Sequence, residues 1–196
     1  METFKMRKLI LTDVDGVLLD WNEGLYQWMK AKGYERKSEK HYDLGPLYGI
    51  DDDLANDLAI EFNHSKYVID LSPLRDAVKY VKKLHEEQGF VLHCVTAIPN
   101  TQYIWNGRYK NLCDIFGTSA IGRLECTGTS ENKRKILEEY KDDGIPWIED
   151  RIENAEMGLE YGLDCYLIEH EFNKDEKLHE DLNKVKNWRE LYDMFS

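Results

Sequence analysis

The stretch Lys8-Leu9-Ile10-Leu11-Thr12-Asp13-Val14-Asp15-Gly16-Val17 decides the reading of this chain. Its first half, Lys8 to Thr12, carries the Leu-Ile-Leu run expected of a strand buried on both faces, as strands of parallel sheets are. Two aspartates one residue apart, followed by a glycine, then place carboxylates at a tight turn where the backbone can also approach a ligand. Such charges resist burial unless a cation joins them. Magnesium suits the position, because it takes oxygen ligands and is typically held by one or two carboxylates with water and phosphate. The plain alternative for Asp13-x-Asp15-Gly16 is a solvated turn, since Asp and Gly dominate turns.

Outward from this stretch, short apolar runs alternate with segments of helical period, the pattern of a parallel sheet covered by helices on both faces. Asp20 to about Leu71 is helical and aromatic with no convincing buried strand, and it reads as an inserted helical cap containing helices at Gly24–Lys32 and Asp51–Asn63. The core would then comprise residues 1–19 and 72–196, with 20–71 as the cap. Ser72-Pro73 reads as an N-cap and first helical residue, with Leu74, Ala77, Val78, Val81 and Leu84 on one face and Gly89 as the stop. Strands are expected at Phe90–Val95, weakly at Thr118–Gly122, at Pro146–Ile148 and at Asp164–Glu169. Helices are expected at Asn100–Ile115, Glu131–Lys141 capped by Ser130, and Arg151–Tyr161. Leu178, Leu182, Val185, Trp188 and Leu191 give the tail a helical spacing.

In open α/β sheets, ligands bind outside the carboxyl ends of the strands, so polar residues there carry the chemistry. Thr96 ends the Phe90 strand, where its hydroxyl and the backbone amide of Ala97 can bond a phosphate oxygen. Glu149 and Asp150 end the Trp147 strand and offer a further metal ligand. Lys133, in the first turn after Ser130, can reach the same phosphate and compensate the carboxylates. Lys135 lies two residues on and cannot share that face.

Bulk composition narrows the classes. At 42% hydrophobic and 33% charged, the chain of 196 residues has the make-up of a folded globular domain, not of a disordered one. No apolar run approaches the roughly 20 residues needed to span a bilayer, and Met1 to Lys8 shows no targeting pattern, so a cytoplasmic protein without a membrane partner is expected. Cys94, Cys113, Cys126 and Cys165 form no Cys-x-x-Cys pair and read as structural thiols. A net charge of −12 repels polyanions, which argues against a nucleic-acid polymer as partner. Asp51-Asp52-Asp53 reads as a solvated helix start, and the six histidines show no ligand spacing.

Taken together, these residues resemble the haloacid dehalogenase (HAD) superfamily of phosphohydrolases, in the expected order and over nearly the whole chain. Asp13-Val14-Asp15-Gly16-Val17 matches the first motif, Thr96 the second, Lys133 the helical lysine, and Glu149-Asp150 with Asn154 the acidic fourth motif. The resemblance implies a three-layer, Rossmann-like α/β fold with a small helical cap inserted after the first strand. It also implies a hydrolase of phosphoric monoesters in which Asp13 is the nucleophile forming an aspartyl-phosphate and Asp15 the general acid and base. Mg2+ would be bound by the Asp13 side chain, the Asp15 carbonyl and Asp150, and the phosphate by Thr96, Ala97 and Lys133. Glu149 and Asn154 depart from the commonest residues of that motif, and Lys135 is the reserve for the lysine.

Within the family the chain is most similar to the 5'(3')-deoxyribonucleotidase-like group, which implies a nucleoside monophosphate as the small phosphorylated substrate. Trp21, Tyr26, Trp28, Tyr42, Tyr48, Phe62 and Tyr67 in the insert include candidates for stacking on a base, although most must form the insert's own core. Tyr103, Trp105 and Arg108, after Thr96, are further candidates for the pocket wall. The competing readings are a sugar phosphate phosphatase or mutase, a 3'-phosphatase of nucleic-acid ends, and a non-catalytic module that binds a phosphorylated ligand. A homodimer is compatible with the sequence.

Overall fold

The computed structural model describes residues 8–38 and 40–196. The segment 1–7, read above as free of targeting signals and as the start of the core, lies outside them. Six parallel strands form one sheet in the order β3-β2-β1-β4-β5-β6: β1 Lys8–Thr12, β2 Phe90–Thr96, β3 Ile121–Cys126, β4 Pro146–Glu149, β5 Asp164–Ile168 and β6 Asn183–Val185. The helices are α1 Trp21–Ala31, α2 Leu44–Tyr48, α3 Asp52–Asn63, α4 Ala77–Gln88, α5 Gln102–Phe116, α6 Lys133–Leu137, α7 Ile152–Glu160 and α8 Trp188–Phe195. Among the described residues no helix is long and apolar enough to cross a membrane.

Strand alternation divides the core into two layers. Ile10, Leu92, Cys94, Ile148, Tyr166 and Ile168 face one cluster, which also takes Leu25, Trp28 and Met29 of α1, Phe62 of α3 and Trp188 and Leu191 of α8. Leu11, Val95, Trp147, Cys165 and Leu167 face the other, together with Leu137, Ala155 and Met157. Each central strand is thus apolar on both sides, which is why its sequence reads as a continuous run instead of an alternation.

Four expectations need correction. The helix after the insert starts at Ala77 and not at Ser72-Pro73. Pro73 instead bridges Leu19, and the Leu74 amide donates to the Leu18 carbonyl, so this piece is extended and closes the loop after β1. Asp76, just before α4, caps a different helix, accepting the Trp188 and Arg189 amides of α8. The weak strand lies later than Thr118–Gly122, at Ile121–Cys126. The helix expected over Glu131–Lys141 is a single turn and a half, α6, followed by a 3₁₀ turn at Glu138–Tyr140, and Ser130 contributes its carbonyl, not its side chain. The tail is not one helix, because β6 interrupts it and pairs with β5. All four cysteines are free.

Gly158 on α7 shows how tightly the second layer is packed. A Cβ there would meet Trp147 Cδ1 at 2.4 Å and Cys165 Sγ at 2.7 Å, both on buried side chains. Gly158→Ala should therefore lower stability by about 1–3 kcal/mol through overpacking despite alanine's better helix propensity. Urea unfolding midpoints of the two proteins check this, and an unchanged or higher midpoint would refute it.

Candidate active site

The carboxyl ends of β1, β2 and β4 meet at one point. β1 delivers Asp13, whose backbone amide donates to the Ile148 carbonyl of β4 at 2.8 Å. The chain then turns tightly through the buried residues Val14, Val17, Leu18 and Leu19, with the Gly16 amide donating to Leu19. Gly16 sits at φ +82°, and a Cβ on it would lie 2.1 Å from Asp150 Oδ2. Both the left-handed backbone and the approach of that carboxylate require glycine.

Lys133 is 2% exposed and donates to Asp13 Oδ1 at 2.7 Å and to Glu149 Oε1 at 2.6 Å. Lys135, the reserve candidate, points to solvent. The second oxygen of Glu149 accepts the Asp150 and Arg151 amides at 3.0 and 3.2 Å. Glu149 therefore anchors Lys133 and shapes the turn after β4, which carries Asp150 over Gly16. Ligand oxygens of Asp13, Glu149 and Asp150 all lie within 4.8 Å of one another and are buried. Because both Glu149 oxygens already serve protein donors, Asp13 and Asp150 are the better placed pair for a cation.

The electrostatics carry the mark of this crowding. Burial raises the Asp13 carboxyl to about 8 against the opposing pull of Lys133, with Glu149 and Asp15 adding to the rise. Asp150 is raised for the same reasons, burial first and then Glu149 and Asp13. Burial works against the charge of Lys133, yet Asp13 and Glu149 hold it above the ordinary lysine range. Four carboxylates, Asp13, Asp15, Glu149 and Asp150, meet two buried cations, Lys133 and Arg108. The excess of negative charge and the all-oxygen donor set fit a hard divalent cation.

Thr96 is wholly buried at the end of β2, and its hydroxyl donates to Asp15 Oδ2 at 2.7 Å. Ala97 lines the cleft beside Asp13, Asp15, Lys133 and Asp150. Residues 13, 15, 96, 97, 133 and 150 thus converge. Of the aromatic candidates, Trp21 and Tyr42 reach this cleft, which has a cavity volume of about 100 Å³ and is also lined by Asn22, Asn63, Arg151 and Asn154. Trp28, Tyr48 and Phe62 are buried in the core, while Tyr67 and Tyr103 lie exposed away from the cleft. The Tyr42 ring lies under the Arg151 guanidinium at 4.3 Å and against Phe172, and burial of its hydroxyl end beside Asp150 raises its pKa.

Two supporting residues, His170 and Asn173, escape a reading of the sequence, and Arg108, expected at the pocket wall, pairs instead with Asp15. Arg108 is completely buried on α5, with Nη1 2.8 Å from Asp15 Oδ1. His170 accepts from Arg75 at Nδ1 and donates from Nε2 to the Gly16 carbonyl at 2.7 Å, which fixes its neutral form. Asn173, also buried, donates from one amide nitrogen to the carbonyls of Asp150 at 2.8 Å and Ile168 at 2.9 Å. Arg108 alone left a signal, since it falls in register with Ile104, Leu112 and Phe116 on the buried stripe of its helix.

No protein-family model matches the chain. It is 30% identical over 145 residues to an uncharacterised 32.4 kDa protein of Enterobacteria phage T4, an alignment covering 69% of this chain. The chain spans about half, 51%, of the length of that relative. A haloacid dehalogenase-like family hydrolase from Streptococcus pneumoniae superposes with a TM-score of 0.66 at 14% identity, covering 96% of this chain and 98% of the other. A D,D-heptose 1.7-bisphosphate phosphatase from B. bronchiseptica, complexed with magnesium and phosphate, superposes with a TM-score of 0.55 at 13% identity, covering 96% and 97%. The parallel six-stranded sheet with its flanking helices is therefore the HAD-like, Rossmann-like fold.

His170 yields a pH test of the loop scaffold. Burial lowers its pKa from 6.5 to about 4. The folded protein binds that proton less tightly than the unfolded chain does, so its contribution is complete above pH 6.5 and drains away as pH falls towards 4. Wild type should lose roughly 3 kcal/mol relative to His170→Gln across that interval. Paired urea titrations at several pH values measure the difference, and parallel stability curves would contradict the assignment.

Proposed function

We propose that this protein is a magnesium-dependent phosphomonoesterase that works through an aspartyl-phosphate on Asp13. The observation carrying the reading is Asp13 itself: a buried carboxylate at a strand end, held by Lys133 and crowded by Asp150, opening on a cleft. Asp13 attacks phosphorus while Asp15 protonates the departing ester oxygen. Asp15 then takes a proton from the water that attacks the phosphorus, which frees inorganic phosphate and restores the Asp13 carboxylate. Lys133 and the Ala97 amide hold phosphoryl oxygens through this sequence, while the Thr96 hydroxyl, expected on the phosphate, is given to Asp15 Oδ2. Asp13, the Asp15 carbonyl and Asp150 would hold magnesium, which would supply the positive charge that keeps the carboxylates ionised and stabilises charge on the phosphoryl group.

For the substrate we infer a nucleoside monophosphate handled in the cytoplasm, with the insert 20–71 acting as the cap. Trp21 and Tyr42 offer aromatic faces at the cleft wall, and Asn22, Asn63 and Asn154 offer amides for a base edge or sugar hydroxyls. Those amides suit a sugar phosphate as well, so the test compares both classes.

Wild type should release phosphate from dTMP and p-nitrophenyl phosphate with Mg2+ and stop on addition of a chelator. Asp13→Asn should lower turnover by at least about 10³-fold while the circular dichroism spectrum is unchanged. A panel of nucleoside monophosphates and sugar phosphates, read by phosphate release, ranks the substrate classes. Ligand binding without any hydrolysis by wild type would replace this reading with that of a binding module.

A further inference from the structure

Arg108 occupies a place where the fold calls for an apolar side chain. Ile104, Leu112 and Phe116, at four-residue spacing on α5, are all buried in the layer that packs on the sheet, and Arg108 stands between them with no exposed surface. An arginine is almost never fully buried unless it is paired. The partner here is Asp15, and the pairing is ionic: the 2.8 Å approach of Nη1 to Oδ1 is oblique, and none of Nε, Nη1 and Nη2 makes a hydrogen bond among the described residues. Asp15 Oδ1 likewise has no hydrogen bond there, while Oδ2 accepts from Thr96.

The helix bearing Arg108 is itself firmly seated. A Cβ on Gly107 would lie 2.6 Å from Ile69, and Asn111 donates to the Leu71 carbonyl at 3.1 Å, so one face of α5 grips the end of the insert. The adjoining face delivers the guanidinium to the loop after β1. Asp15 is the least buried member of the carboxylate group, with 17% of its side chain exposed to the cleft. A carboxylate at a cleft edge has several rotamers open to it, and contacts to both oxygens from groups that cannot move remove that freedom.

We propose that Arg108 is a positioning residue which, with Thr96, holds the Asp15 carboxylate in the orientation from which it exchanges protons with the ester oxygen and with water. This rests on the phosphomonoesterase reading above. In the first step the P–O ester bond breaks as the Asp13–phosphorus bond forms, and the Asp15 proton goes to the departing oxygen. In the second step water adds to phosphorus, its proton goes to Asp15, and the Asp13–phosphorus bond breaks. p-Nitrophenolate departs without needing a proton, so with p-nitrophenyl phosphate only the second step demands a well-aimed Asp15.

Stopped-flow measurement of p-nitrophenolate release in Mg2+ tests this on wild type, Arg108→Met and Arg108→Lys. The expected result for Arg108→Met is a burst of about one p-nitrophenolate per chain, then turnover at least about tenfold slower than wild type, with KM lowered in proportion so that kcat/KM changes less than threefold. Arg108→Lys should recover part of the turnover, because it restores charge without the planar fork. Equal loss of burst and turnover in a folded Arg108→Met, or wild-type turnover without a burst, overturns the proposal. Absence of any release by wild type would fail the phosphomonoesterase reading instead, a distinguishable outcome. Thermal melts of Asp15→Asn, Arg108→Met and the double variant give an independent check. The double variant should melt at or above Asp15→Asn, since it removes the stranded charge, and additive losses would overturn the pairing even where Arg108→Met alone does not fold.

Discussion

The contact of one buried ammonium with two carboxylates organises this molecule. Lys133 comes from α6, Asp13 from β1 and Glu149 from β4, so a single side chain ties a short helix to two neighbouring strands. Breaking one partner of a buried ion pair leaves an uncompensated charge, and that asymmetry makes such a contact specific even where its net worth is small. α6 illustrates the point: it is five residues long and has no side-chain cap, so its place rests on what Lys133 and Leu137 bury. The constraint spreads from there. Glu149, held by Lys133 through one oxygen, uses the other to draw in the Asp150 and Arg151 amides, and the resulting turn sets Asp150 against Gly16.

Around this centre, backbone carbonyls are held as carefully as side chains. His170 takes the Gly16 carbonyl, Trp188 donates its indole N–H to the Val17 carbonyl at 2.8 Å, and Asn173 secures Asp150. Two loops, those after β1 and β4, are thus fixed by residues from β5 onward, a part of the chain that contributes no side chain to the acidic cluster. Site precision depends on such supports, because a carboxylate displaced by an ångström serves neither a metal nor a proton.

This division explains what could be read from the amino-acid order. Asp13, Thr96 and Asp150 each end an apolar run, so a strand pattern and a rule about strand ends suffice to bring them together, and Lys133 follows from a turn signal just ahead of it. Arg108, expected at the pocket wall, is instead wholly buried against Asp15, because the stripe of its helix faces the sheet. His170 and Asn173 were not legible, since their partners are main-chain groups of distant loops and leave no periodicity behind. The tail misled for a physical reason as well: Leu182, Val185, Trp188 and Leu191 bury at intervals near three, a spacing that a short edge strand followed by a helix satisfies as well as one helix does. α4 starts later than Ser72-Pro73 because that pair, a good cap in isolation, is claimed by the loop after β1.

The two margins of the sheet differ from its middle. β6 is three residues long with Lys184 at its centre, and β3 alternates buried positions with Gly122, Arg123 and Glu125, the last two paired with each other. A strand added at either border would have to cover those charges and would find few apolar neighbours, so the fold closes off lateral growth by itself. Aggregation by border-to-border hydrogen bonding is thereby resisted without a covering helix.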